Sequence, residues 1–142
     1  MAAGLLAVGV VAWFTALCAF DIRHRRLPNA LTVPGAVAVL CGAAVAGRGW
    51  PALAGAAALL AVYLLVHLAA PAGLGAGDVK LAPGLGGLTG AFGVDVWMLA
   101  AVGAPLLTGL LAVAALARGR SDPVPHGPSM CVSASLAIAA AW

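Results

Sequence analysis

Charge is what this sequence has least of. Its 142 residues carry only 7 Lys and Arg and 4 Asp, with no Glu, and 64% of positions are apolar. A soluble domain places charge at roughly a quarter of its positions, so this chain could not clothe a water-facing surface. A soluble globular fold is excluded. Cysteine is also sparse: Cys18, Cys41 and Cys131 lie in or at the edges of apolar segments, without a CxxC pair or metal-ligand spacing, and read as buried small residues. The start of the chain lacks the basic n-region of a secretory signal, because its basic cluster follows the first apolar run; a first membrane span is expected there instead. The pI near 9.1 does not point to nucleic acid, which would need a basic face on a soluble body.

What the chain does have is length between charges. Six uncharged stretches cover 1–20, 27–47, 49–77, 81–94, 96–117 and 123–142. A helix needs about 18 or more apolar residues to cross a hydrocarbon core of about 30 Å. Four stretches meet that length, and 49–77 holds a fifth span in its first part. The fourth, from Val79 to Gly93, gives only about 22 Å of helix at 1.5 Å per residue, and the sixth is the other weak span. Short helices of this kind need a thinned membrane or shielding by neighbours. Six spans of about 20 residues leave about 22 for loops. The expected fold is an all-α integral membrane bundle of about six transmembrane helices, with residues 1–142 forming a single domain.

The distribution of positive charge sets an expected topology. With the N-terminus outside and turns at 21–30, 48–51, 69–80, 93–96 and 118–127, the cytoplasmic turns hold Arg23, Arg25, Arg26, Lys80, Arg118 and Arg120, against Arg48 alone outside. Tryptophan, which favours the headgroup level, agrees: Trp50, Trp97 and Trp142 fall at outer ends, and only Trp13 lies within a span. Gly86 and Gly90 stand at GxxxG spacing, and Gly55, Ala56 and Ala57 supply small residues to the third segment; close helix packing and a coding bias toward Ala and Gly both account for them. No internal repeat supports an inverted-repeat transporter.

Four acids make the search for chemistry short. Asp95 and Asp122 fall in turns and read as solvated surface. Asp21 ends the first span and Asp78 opens the fourth, and the topology puts both at the cytoplasmic face. Acids at a membrane boundary are costly unless paired, capped or hydrated, so two at one depth suggest a shared polar site. Simpler roles are open for each: Asp78 as a helix cap, Asp21 as a partner of Arg25. Gly73, Gly75 and Gly77 precede Asp78 and offer a backbone free to adopt positive φ and admit a close-approaching substrate strand.

Other chemistries fit less well. There is no GxxxxGK[ST] and no dinucleotide fingerprint. Ser121, Ser129, Ser133 and Ser135 have no evident base. His24, His67 and His126 lie on separate segments without HExxH spacing, so no metal is assigned.

Three ordered motifs carry a resemblance. Asp21 lies ahead of Leu27-Pro28-Asn29 in DIRHRRLPN, Gly75, Gly77, Asp78 and Lys80 form GAGDVK, and Pro125-His126-Gly127-Pro128 precedes the last segment. Together they resemble the type IV prepilin peptidases, membrane aspartic proteases of GxGD type, over essentially the whole chain. His126 stands where the family usually has an aromatic, Leu27 where Ile is more usual, and Pro83 falls early in the fourth helix, where proline removes a backbone bond and kinks the chain.

The resemblance implies that Asp21 and Asp78 are the catalytic pair of a prepilin leader peptidase, with Pro28, Asn29, Gly75, Gly77 and Lys80 as supporting motif residues. Lys80 reads equally as a positive-inside anchor. Two close carboxyls share a proton, so one takes a proton from the attacking water and the other gives one to the scissile carbonyl. The implied substrate is a single-span prepilin-like precursor with a short basic leader, cut at the cytoplasmic face of the bacterial inner membrane in pilus assembly or protein secretion; the implied partners are this precursor and the lipid bilayer. Long family members carry an extra cytoplasmic region, often with four cysteines, linked to N-methylation. No such insertion separates Asp21 from Asp78, so no S-adenosylmethionine or other cofactor is expected. Two readings from other classes remain: a small proton-coupled transporter subunit, and a catalytically inactive pilus or secretion assembly subunit.

Overall fold

The computed structural model describes residues 2–141, with side chains from residue 4 onward. The described residues form six helices and no strand: α1 Ala2–His24, α2 Asn29–Val45, α3 Gly49–Ala69, α4 Ala76–Phe92, α5 Val94–Ala117 and α6 His126–Ala139. Three of them are long and apolar enough to cross a membrane, over Gly4–His24, Gly49–Ala69 and Val94–Ala117. Their outer faces carry exposed Leu5, Leu6, Val11, Leu65, Leu106 and Leu110, the inverse of a soluble surface. This is a multi-pass membrane bundle.

The other three helices are shorter: 17 residues in α2 and α4 and 14 in α6. By rise per residue α4 is about 26 Å long and α6 about 21 Å. Shielding compensates for α4, which packs against α2, α3, α5 and α6. Its glycines permit this. A Cβ on Gly86 would overlap the Gly55 carbonyl oxygen, one on Gly55 would overlap that of Gly86, and one on Gly90 would fall 2.7 Å from the Pro51 carbonyl oxygen. The GxxxG spacing is therefore used, as backbone-to-backbone packing of α4 on α3. The kink expected at Pro83 does not interrupt α4, which runs unbroken through it. Neighbours on several sides hold the helix together where one backbone bond is missing.

Helix ends differ from charge boundaries. The first turn was expected at 21–30, but α1 continues to His24 and ends where Arg25 adopts φ 50°. Hydropathy marks where lipid stops, and a helix need not stop there. Pro28, in extended conformation, then opens α2, its carbonyl accepting from the Leu31 and Thr32 N–H groups at 3.0 and 3.2 Å.

Trp13, the tryptophan within a span, lies at a junction of three helices. Its indole donates to the Leu31 carbonyl at 2.9 Å and occupies the space that side chains at Gly35 and Gly84 would need. Trp50 projects outward at 85% exposure, as an interfacial anchor would. Trp97, also near a helix end, turns its indole inward to donate to the Gly55 carbonyl at 3.0 Å. Trp142 lies outside the described residues. The cysteines also divide: Cys131 is buried, Cys18 half-buried, and Cys41 exposed. An apolar segment can face lipid as readily as protein, so hydropathy alone did not separate them.

Arg48, the positive charge on the sparse side, has a structural task. Its guanidinium donates to the Ala91 carbonyl at 3.0 Å, in the last turn of α4, and lies 6.0 Å from the centre of the Phe92 ring. Arg48→Met is expected to cost about 1 kcal/mol. The check is a lower midpoint of thermal unfolding in detergent.

Candidate active site

At the opposite end of α4 from Arg48, the three motifs meet. Asp21, in the last turn of α1, faces inward and is 8% exposed. Its Oδ2 accepts the Gly127 backbone N–H at 3.0 Å, across 106 residues of sequence. Gly127 is the second residue of α6, so an otherwise unpaired N–H at a helix start is satisfied by a carboxylate. Arg25, by contrast, is exposed, and no ion pair joins it to Asp21 among the described residues. The hydrogen bond that Asp21 makes is to Gly127.

Asp78 is also 8% exposed, in the first turn of α4. Its backbone N–H donates to the Gly75 carbonyl at 3.1 Å, and its carboxyl turns back toward the Gly75 N–H. This is the reciprocal half of a capping box, so Asp78 does serve its helix start. Asp78 stands at the same end of the bundle as Asp21, next to Gly77, which meets Leu27 of the first motif.

The glycines before Asp78 do not act by handedness. None of Gly73, Gly75 and Gly77 has positive φ; among the described residues that conformation belongs to Gly47, Gly93, Gly119 and Arg25. A Cβ on Gly77 would lie 3.4 Å from the backbone N and Cβ of Leu27. The strand admitted at close range is thus the chain's own Leu27, which is buried. Contact between Leu27 and Gly77 brings the LPN segment to the GAGD turn. His67 fixes the same turn from α3, its Nδ1 donating to the Leu74 carbonyl at 2.7 Å.

Of the other residues named from sequence, Pro28 and Asn29 form the start of α2, and Lys80 is exposed with no hydrogen bond or ion pair, as an anchor would be. Asp95 and Asp122 are exposed. No three His, Cys, Asp or Glu side chains gather into a metal-binding group among the described residues.

Sequence reasoning missed three residues here. Tyr63 is buried in α3, and its hydroxyl lies 2.9 Å from His126 Nε2. Thr108 of α5 meets His126 Nδ1 at 2.6 Å. Gly127 entered the sequence reading only through a motif, with no role of its own. A signal existed for Tyr63, the chain's one tyrosine, set in an otherwise apolar segment where its hydroxyl must find a partner.

Gly127 has no room for a side chain. A Cβ there would lie 2.5 Å from Asp21 Oδ2 and 3.1 Å from its Cγ. The carboxyl is the movable partner, so Gly127→Ala is expected to displace it and leave the Gly127 N–H unpaired, at a cost of about 1–3 kcal/mol. Turnover by the variant should fall about a hundredfold, with an unfolding midpoint lowered about as far as in Asp21→Ala.

The profile of the type IV leader peptidase family matches residues 8–117, which include both acids and end before α6. The chain belongs to the type IV leader peptidase family. The prepilin leader peptidase/N-methyltransferase of Xanthomonas campestris pv. campestris is 32% identical over 141 residues, covering 92% of this chain and 48% of that protein. The chain thus spans about half the length of this relative. No solved structure matches it. The family match takes in the helices that bring Asp21 and Asp78 to one end of the bundle.

Proposed function

We propose that this chain is a membrane aspartic endopeptidase that removes the leader from prepilin-like precursors. The observation that carries the reading is that Asp21 and Asp78 are both buried at the end of the bundle where the three motifs meet. Membership of the family and likeness to a protein named as a prepilin leader peptidase support it.

The chemistry needs no metal and no nucleophilic side chain. One carboxylate takes a proton from water as that water attacks the scissile carbonyl. The other carboxyl gives its proton to the carbonyl oxygen, and the protons then pass to the leaving amine as the peptide C–N bond breaks. Two like charges at close range hold one proton between them, which supplies both forms at once. Asp21 Oδ2 already accepts a backbone N–H, so that oxygen stands as an acceptor in the resting site.

The substrate is a single-span precursor whose short basic leader precedes a hydrophobic helix. Cleavage takes place at the cytoplasmic face of the bacterial inner membrane, with the N-terminus of this chain outside. The positive residues Arg23, Arg25, Arg26, Lys80, Arg118 and Arg120 near the site end support this orientation. Residues 1–142 act as one peptidase domain. No insertion separates Asp21 from Asp78, which supports cleavage as the reaction of these residues. A proton path through a transporter would favour an acid near the bilayer midplane, whereas both buried acids lie in terminal turns. The test is co-expression with a precursor, read as its size on a gel. Shortening by the wild type that both Asp21→Asn and Asp78→Asn abolish is the expected result. An unshortened precursor with the wild type identifies an inactive assembly subunit instead.

A further inference from the structure

His126 lies outside the acid pair, yet both of its ring nitrogens are engaged. Nε2 is 2.9 Å from the Tyr63 hydroxyl of α3, and Nδ1 is 2.6 Å from the Thr108 hydroxyl of α5. The direction of these bonds follows from counting hydrogens. A threonine hydroxyl has one, and that of Thr108 lies 3.1 Å from the Ala104 carbonyl, which can only accept. Thr108 therefore donates to Ala104 and accepts from His126 Nδ1–H. A neutral imidazole has a single N–H, so Nε2 is left as acceptor and Tyr63 donates to it. With Thr108 donating to Ala104, the network runs from Tyr63 through His126 and Thr108 to the Ala104 carbonyl, with each of these groups satisfied.

One consequence bears on the acids. His126 immediately precedes Gly127, whose N–H holds Asp21. Bonds from α3 and α5 to the first residue of α6 thus fix the N–H on which the Asp21 carboxyl rests.

Resting on the peptidase reading, we infer that His126, Tyr63 and Thr108 act as one positioning unit for the aspartate pair. The unit seats the Gly127 N–H under Asp21 and so holds that carboxyl in place for the chemistry. None of the three touches the reacting atoms.

The experiment uses the full chain in detergent with a purified precursor and the variants Tyr63→Phe, Thr108→Val and His126→Phe. Tyr63→Phe and Thr108→Val each delete or replace a single hydroxyl, so they keep the test sound if His126→Phe fails to fold. Each folded variant is expected to lose about tenfold in kcat with KM within twofold of wild type. The double variant Tyr63→Phe/Thr108→Val should lose no more than the worse single, as members of one unit do. A readout independent of turnover is hydrogen exchange at the Gly127 amide, which should quicken in each variant. Unchanged kcat and unchanged Gly127 exchange in Tyr63→Phe and Thr108→Val would overturn the inference while Asp21→Asn and Asp78→Asn remain inactive. A rise in KM alone, or a lowered unfolding midpoint with kcat retained, would reduce the three residues to packing. Cleavage that survives both Asn variants removes the peptidase reading and this inference with it.

Discussion

Asp21→Asn and Asp78→Asn are each expected to leave six helices intact and to lower the single-turnover cleavage rate by at least about a thousandfold. Asparagine nearly matches aspartate in size but can neither take nor give the proton. At position 21 its carbonyl oxygen still accepts the Gly127 N–H, so the contact between α1 and α6 survives. Asp21→Ala makes the comparison informative. It removes the proton carrier and also leaves a buried N–H unpaired, which costs about 1–3 kcal/mol. The two variants should be equally inactive, with only the alanine form unfolding at a lower temperature. Equal stability would mean that the bond to Gly127 contributes nothing to the fold. Wild-type turnover in either Asn variant would remove that acid from the chemistry.

The largest effect on stability is expected at Gly86. Its Cβ position coincides with the Gly55 carbonyl oxygen and lies 2.7 Å from Leu59 Cβ, so neither neighbour can yield without moving α3. Gly86→Val should cost about 3 kcal/mol, the upper part of the usual range for overpacking. Activity should fall with it, since α4 carries Asp78. Gly42→Ala is the control: nothing lies within 4 Å of a Cβ at that helical position, and its midpoint should hold or rise slightly. Thermal unfolding in detergent measures both. Comparable losses in the two variants would mean that contact with α3 is not what requires glycine at 86.

Much of this was legible in sequence because lipid imposes a simple rule. Uncharged runs gave six segments, and the two singled out as weak, the fourth and sixth, are short helices. The fourth fails a hydropathy test for a physical reason: its surroundings are protein, so it spends its side-chain positions on glycine. Asp21 and Asp78 stood out because a chain with four acids has few places for them. The end of α1 was misplaced because the first charge marks the edge of the lipid and not of the helix. Gly127 and Thr108 were not visible as site residues, since a backbone N–H and one more threonine leave no trace in composition. The contact between Leu27 and Gly77 was half visible: the glycines announced a close approach, but nothing in the pattern said that the approaching segment was the chain's own.

The bond between Gly127 and Asp21 also has a meaning in time. Translation delivers Asp21 with the first helix and Asp78 with the fourth, but the N–H that seats Asp21 arrives only with the sixth. A nascent chain halted after α5 would own both acids and lack the group that aims one of them. The site is thus completed only once α6 is in place, however early the two acids enter the membrane.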